Sequence, residues 1–513
     1  MMHQAQTLSV LDLPDSLLLN VFMSLPLESL RCVSLTCSRL SRVALDQQLW
    51  KTMFQRDFKS VRLRPKASSW RAEYRRLYDE SPAVMCEEVL GHEDEVWHAS
   101  FSHNGDMFAT CSKDGTVQVW NARTPCTLRF AADMKARFCL DYTQYSHFNT
   151  SDTLLLVSGY AKTFGGGGIF VFDLKKEFEV MNRLLLHPRS VFGAWYDDTH
   201  LLTQTVCQMN HLECISSVWL AKASREVTSE RKYAMINPFR FCVNGPTRNF
   251  MVADVPGVVE ESQSTSDEAL SLSTDSTETS VKSNSVYSND SNGAAGLVLH
   301  FPLSTEDSSN SPAEHERASA SPVSVRTKKL LIFTLSEEIN RPHGVGIKRM
   351  TEEEIREEEG EREGLQWPET DEFTLPNTIR DIGGSGRSTN VDYRFNMHGE
   401  IIGMALSPDQ RYLYVNRRSW PDNYKIEDVM DSPPISKKID IHVIDLVTFT
   451  KVDTVLSSHK AYTLGAARAH LHLDIDTLYV ASGSEDNQGY MWDRHYGVHV
   501  RCFPHDNIVN SCA

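Results

Sequence analysis

Two segments far apart in the chain carry one register. Ser112, Asp114 and Trp120 form the first copy and Ser484, Asp486 and Trp492 the second, with the same spacing in both. A histidine precedes each copy, His92 and His459. Each copy ends on a short β-prone run, Val117-Gln118-Val119-Trp120 and Gly489-Tyr490-Met491-Trp492. The pattern suits one device: His, Ser and Asp hydrogen-bond in a chain that fixes a tight turn between two strands, and the Trp indole N–H donates into it. Both tetrads are therefore expected to be structural. A chain with such units at distant positions is constrained to a repeated antiparallel architecture.

The register resembles the WD-repeat family, which implies a β-propeller. At 513 residues the chain exceeds what one core usually supports, unless a propeller absorbs most of it. Strand patterns begin at residue 84 and fill 84–513. Candidate blades lie at 92–130, 133–180, 187–228, 398–446 and 459–503. A further blade is split between Phe250-Met251-Val252-Ala253-Asp254 and Lys329-Leu330-Leu331-Ile332-Phe333. The glycines at 165–168 read as a hairpin, since no helix start or Lys-Ser/Thr follows to make a phosphate loop. Residues 505–510 resemble the opening of the first blade. About seven blades are expected, the last apparently truncated, with 84–90 as its outer strand and 506–512 as its inner one.

Charge is concentrated. Residues 256–327 carry net −8 and residues 350–372 net −9, against −16 for the whole chain. Both stretches are expected to be disordered acidic inserts, the first Ser-rich. No basic stripe suggests nucleic acid. Eleven cysteines lie without metal-ligand spacing, and with no secretory signal they read as reduced thiols. No run approaches the roughly 20 apolar residues of a membrane span. A cytoplasmic protein without cofactor or metal is expected.

Residues 11–58 form a helical unit. Leu13-Pro14-Asp15-Ser16 is a helix start, and Leu17, Leu18, Val21, Phe22 and Leu25 follow with helical period. The order Leu-Pro-Asp-Ser-Leu, then Val33-Ser34-Leu35-Thr36-Cys37-Ser38-Arg39-Leu40, then Leu49-Trp50, resembles an F-box. The resemblance implies docking of a Skp-type adaptor through Leu13, Pro14, Leu17, Leu18, Val21, Phe22 and Leu25. Residues 59–83 carry a linker helix, with Ser69 as a cap and Trp70, Tyr74, Leu77 and Tyr78 on one face.

An all-α box, a linker helix and an all-β propeller, in that order, resemble the F-box/WD-repeat family. The resemblance implies a non-catalytic substrate receptor of a ubiquitin ligase, bound to a Skp adaptor and the cullin-one scaffold and holding protein substrates on the propeller's top face and central channel. It also raises a DDB-type adaptor of cullin-four ligases, which reads a Trp-Asp-x-Arg motif. Here Trp120 and Arg123 keep two members in one copy, and Trp492 and Asp493 two in the other. A WD-repeat scaffold without ligase role is the alternative. Searches for a nucleophile with a base, paired carboxylates or metal ligands return isolated residues only.

Overall fold

The computed structural model describes residues 9–60, 62–162, 166–186, 192–208, 214–224, 235–243, 249–255, 328–336, 341–351, 373–374, 389–421, 437–460 and 470–513, with 355, 424 and 434. Both acidic inserts fall almost wholly outside them.

Four helices make the first unit: α1 (Asp15–Met23), α2 (Leu27–Ser34), α3 (Ser38–Ala44) and α4 (Gln47–Phe58). Pro14 and Pro26 stand at the N-caps of α1 and α2, where a missing N–H costs nothing. Asp15 binds Arg39 (2.8 Å) and Arg42 (2.9 Å), tying α1 to α3. Leu18, Phe22, Leu30, Leu49, Trp50, Met53 and Phe54 close the core, and the Trp50 indole donates to the Ala44 carbonyl at 2.8 Å. Helix α5 (Trp70–Tyr78) follows, its first turn capped by the Ser69 hydroxyl, which accepts from Ala72 N–H at 3.1 Å. Tyr74 and Leu77 add to the same core.

The rest is a ring of sheets. Blade 1 is a meander of Val96–Phe101, Met107–Ser112, Thr116–Asn121 and Thr127–Asp133. Blades 2 to 5 span 142–186, 193–243, 250–396 and 399–457. Blade 6 comprises Leu473–Ile475, Tyr479–Ser482, Gln488–Asp493 and His499–Pro504. In blade 4, Phe250–Val255 pairs with Lys328–Leu335, so the stretch 256–327 sits within one strand pair. Phe373–Thr374 adds to the outer strand of blade 2 in parallel. Three of the four glycines at 165–168 lie inside a buried strand, Gly166–Asp173, which pairs back to Ala161. Apolar side chains from neighbouring blades interlock between successive sheets from blade 1 to blade 6.

The described residues form six blades, where the sequence suggested about seven. A strand persists only where a neighbour takes its backbone groups. Residues 84–90 find none, and run as irregular backbone with Val84, Met85 and Leu90 exposed. Residues 505–512 also form no strand. They bridge blade 6 to blade 1: His472 N–H donates to the Asn510 carbonyl (2.9 Å), Val509 N–H to that of Ser484 (3.1 Å), and Ala99 N–H to the Ser511 hydroxyl (3.2 Å). Gly483 makes the bridge possible, because a Cβ there would lie 1.9 Å from the Val509 carbonyl oxygen. Beside it, the His98 ring of blade 1 meets the His472 ring of blade 6 with centroids 4.5 Å apart.

Candidate functional site

The helical unit is tightly packed on one side and open on the other. Leu18 and Phe22 are 0% and 2% exposed, whereas Leu17 and Val21 are 47% and 46% exposed. Neighbouring positions on a helix point about 100° apart, so the apolar stripe of α1 divides between the core and an outward face. Leu18 and Phe22, expected on the docking face, pack into the module's own core. Leu13 and Leu25 pack partly against the core, and Pro14 is exposed. Sequence periodicity missed other exposed apolar residues of the unit: Val10, Leu11, Leu35 and Leu45 are exposed as well, Leu35 at 86%.

Unit and propeller meet at a buried charged joint. One Arg76 Nη2 bonds Glu73 at 2.7 Å and Asp493 at 2.6 Å. Arg64 adds to Glu73 at 3.3 Å, and its N–H donates to the Tyr496 hydroxyl at 2.8 Å. The Tyr496 ring packs edge-on against Phe54, with centroids 5.2 Å apart. Burial opposes the charge on Arg76, but Glu73 and Asp493 outweigh it and hold the guanidinium above its ordinary value. A buried network of this kind fixes geometry, since either partner left alone would be an uncompensated buried charge.

That joint takes up one of the Trp-Asp-x-Arg candidates. Asp493 is 1% exposed, and its carboxylate accepts from Arg76 and from the Tyr496 N–H. Trp492 is fully buried, and Trp120 nearly so. Arg123 stands exposed, 3.7 Å from Asp106.

The two tetrads differ from the expected form and from each other. In blade 1 the Trp120 indole donates to Thr110 Oγ1 (3.3 Å), Thr110 bonds His92 Nε2 (2.7 Å), and His92 Nδ1 bonds Asp114 Oδ2 (2.9 Å). The member between Trp and His is Thr110, not Ser112. Ser112 instead steadies the turn, accepting from Asp114 N–H (3.1 Å) and donating to the Asp94 carbonyl (3.2 Å). Asp114 also accepts from Thr116 N–H (2.7 Å), the Thr116 hydroxyl (2.8 Å) and Glu93 N–H (3.0 Å). Burial raises its carboxyl, yet these donors win and hold it below the usual carboxylate value.

In blade 6 the chain is broken. His459 bonds the Ile439 carbonyl (3.0 Å) through Nδ1 and Ser482 Oγ (3.2 Å) through Nε2. Burial pulls its imidazole down to about 4. The Trp492 indole donates to the Ser457 carbonyl at 3.5 Å, and Ser484 donates to that of Lys460 at 3.2 Å. Asp486 bonds the Tyr490 hydroxyl (2.7 Å) instead of a histidine. An open cavity of about 580 Å³ lies here, at the Gln488 end of the strand whose Asp493 end meets the joint. Among the described residues no group of three His, Cys, Asp or Glu is placed to hold a metal, and no helix is long and apolar enough to cross a membrane.

A helical module locked onto a ring of antiparallel blades defines an adaptor-type architecture, and comparison with known proteins gives it a lineage. The F-box-like family matches residues 10–56, and the WD domain, G-beta repeat family matches residues 85–121, the segment holding the complete tetrad. F-box/WD repeat-containing protein 5 of Rattus norvegicus is 34% identical over 541 residues, covering 98% of this chain and 90% of its own. The Homo sapiens protein of that name is 33% identical over 539 residues, covering 97% and 90%. A probable cytosolic iron-sulfur protein assembly protein CIAO1 homolog of Chlamydomonas reinhardtii is 51% identical over only 37 residues. The chain belongs to the F-box/WD repeat family.

Proposed function

We propose that this chain is the substrate-recognition subunit of a Skp-cullin-F-box ubiquitin ligase, with the helical unit recruiting the adaptor and cullin-one scaffold and the propeller holding the target protein. Family membership supports the role. The observation that carries it is that Leu17 and Val21, one turn apart on α1, stand exposed on a module whose core is closed by Leu18 and Phe22, with Val10, Leu11, Leu35 and Leu45 exposed elsewhere on it. Such a face wants a partner helix or groove. The bond-forming chemistry belongs to the partner enzymes. Substrate recognition is assigned to the propeller face away from the joint, where blades hold loops rigidly. A cullin-four link through Asp493 is not favoured, because Arg76 already occupies that carboxylate.

The test separates face from core. Replacing Leu17 and Val21 together by Asp removes anchors worth about 2 kcal/mol or more if they are hot spots, and should abolish co-purification with the Skp-type adaptor at unchanged melting temperature. Leu18→Ala, within the core, should cost about 2 to 5 kcal/mol of stability. Wild-type adaptor affinity in the double Asp variant would show that the docking face lies elsewhere.

A further inference from the structure

Asp114 and Asp486 hold the same register, but only the first is consumed by its own turn. Each oxygen of Asp114 has donors. Asp486 Oδ2 accepts from Tyr490, while Oδ1 is shut away from solvent with no hydrogen-bond partner. An unmatched buried carboxylate oxygen is costly and calls for a donor. None comes from His459, which is neutral and engaged elsewhere. The carboxylate forms part of the wall of the 580 Å³ cavity, together with Asn487, Gln488, Tyr490, Cys502 and the exposed Lys460. Glu485 also reaches the cavity but is paired with Arg418, which leaves Asp486 as the carboxylate of the cavity wall without an ion pair among the described residues, its Oδ1 reachable once a bound group displaces the side chains that cover it.

We propose that this cavity binds an arginine side chain of the captured protein, with Asp486 as counter-ion and the Tyr490 ring as a flanking surface. A planar guanidinium can donate to a carboxylate while lying against an aromatic face, a geometry an ammonium group matches less well. The cavity opens near the start of the strand Gln488–Asp493, and the joint to the helical unit lies at its other end, about 17 Å away. A target seated there is held clear of the adaptor. The proposal rests on the substrate-receptor reading and names the chemistry of its site.

The test uses the full chain with Nα-acetyl-arginine amide and its neutral counterpart Nα-acetyl-citrulline amide, followed by saturation-transfer NMR. The arginine probe should bind at least tenfold more tightly than the citrulline probe, and Asp486→Asn should weaken it at least tenfold. Asn retains an acceptor for Tyr490, so the melting temperature should hold. Equal binding of the two probes, or arginine binding untouched by Asp486→Asn, overturns the proposal. So does arginine binding that emerges only after Lys460→Met, since Lys460 would then already neutralise the carboxylate. Adaptor co-purification and turnover of captured proteins are read on the same variants, so the receptor reading stands or falls separately.

Discussion

The two copies of the Ser-x-Asp register in blades 1 and 6 share their spacing and differ in what they do. In blade 1 the residue two beyond the Asp is Thr116, whose hydroxyl and N–H pin the carboxylate toward His92. In blade 6 that position is Gln488, and no short hydroxyl is at hand. Two residues further, Gln118 reaches the Gly91 carbonyl, whereas Tyr490 turns back onto Asp486. The far ends of the matching strands diverge as well: in blade 1 Asn121 is half-buried and Arg123 stands in solvent, while Asp493 in blade 6 is sealed under the linker helix. A repeat therefore specifies strands and a turn, and the side chains two and four places on decide whether the turn is closed or left open to a ligand.

The largest break in this comparison is expected at the sealed end. Arg76→Ala strands Asp493 and Glu73 without their cation and should cost about 3 to 5 kcal/mol, read as a fall in melting temperature and as new proteolytic cleavage between residues 60 and 84. Arg123→Ala, its counterpart in solvent, should stay within about 0.5 kcal/mol. Equal effects would mean that the joint carries no more than a surface pair.

The turns themselves should separate next. Asp114→Ala leaves His92 and Thr116 without their acceptor, at a cost of about 1 to 3 kcal/mol, and Thr110→Val should cost about 1 kcal/mol by cutting the indole from the imidazole. Asp486→Ala loses a single hydroxyl partner and should fall below about 1 kcal/mol. Denaturant midpoints on the three variants check the order, and a larger loss at Asp486 would show that the blade 6 turn depends on its carboxylate after all.

Where blades 1 and 6 meet, acidity sharpens the contrast. Burial pushes His472 down to about 3 and His98 well below 6.5, and burial also pulls His147, beside them, to about 4. Their folded values lie below the unfolded value of about 6.5. The unfolded chain therefore takes up protons first, and the stability they contribute is whole above about pH 6.5 and is lost as pH falls toward 4, by up to about 1.4 kcal/mol per histidine per pH unit. Urea midpoints at pH 7.5 and 5 measure the slope, and His472→Phe should flatten it. A slope unchanged in that variant would place the acid sensitivity elsewhere.

Much of this was legible in the residues and some was not. Leu-Pro starts, the cap at Ser69 and the alternation in the blades are local signals, and local signals read out as helices and strands. The stripe on α1 could be located but not divided, because only packing against α3 and α4 decides that Leu18 turns inward and Leu17 outward. Spacing alone points to Ser112 as the tetrad member. Thr110 has the same chemistry two residues earlier on the same face of the strand, so alternation cannot separate the two; the register, which sets Trp120 opposite Phe108, puts Thr110 within reach of the indole and Ser112 beyond it. The blade count failed for a nonlocal reason, since residues 84–90 and 506–512 look like strands and lack a sheet to join.

The bridge at Gly483 also has a consequence for synthesis on the ribosome. Ala99 and Ser511 are 412 positions apart, yet one donates to the other across the seam. At about 5 to 20 residues per second, blade 1 emerges tens of seconds before the segment that covers its flank. Through that interval the flank is open to chaperones and to wrong neighbours, and closing the ring waits on the meeting of two remote stretches of chain, whereas most blades pair strands close in sequence.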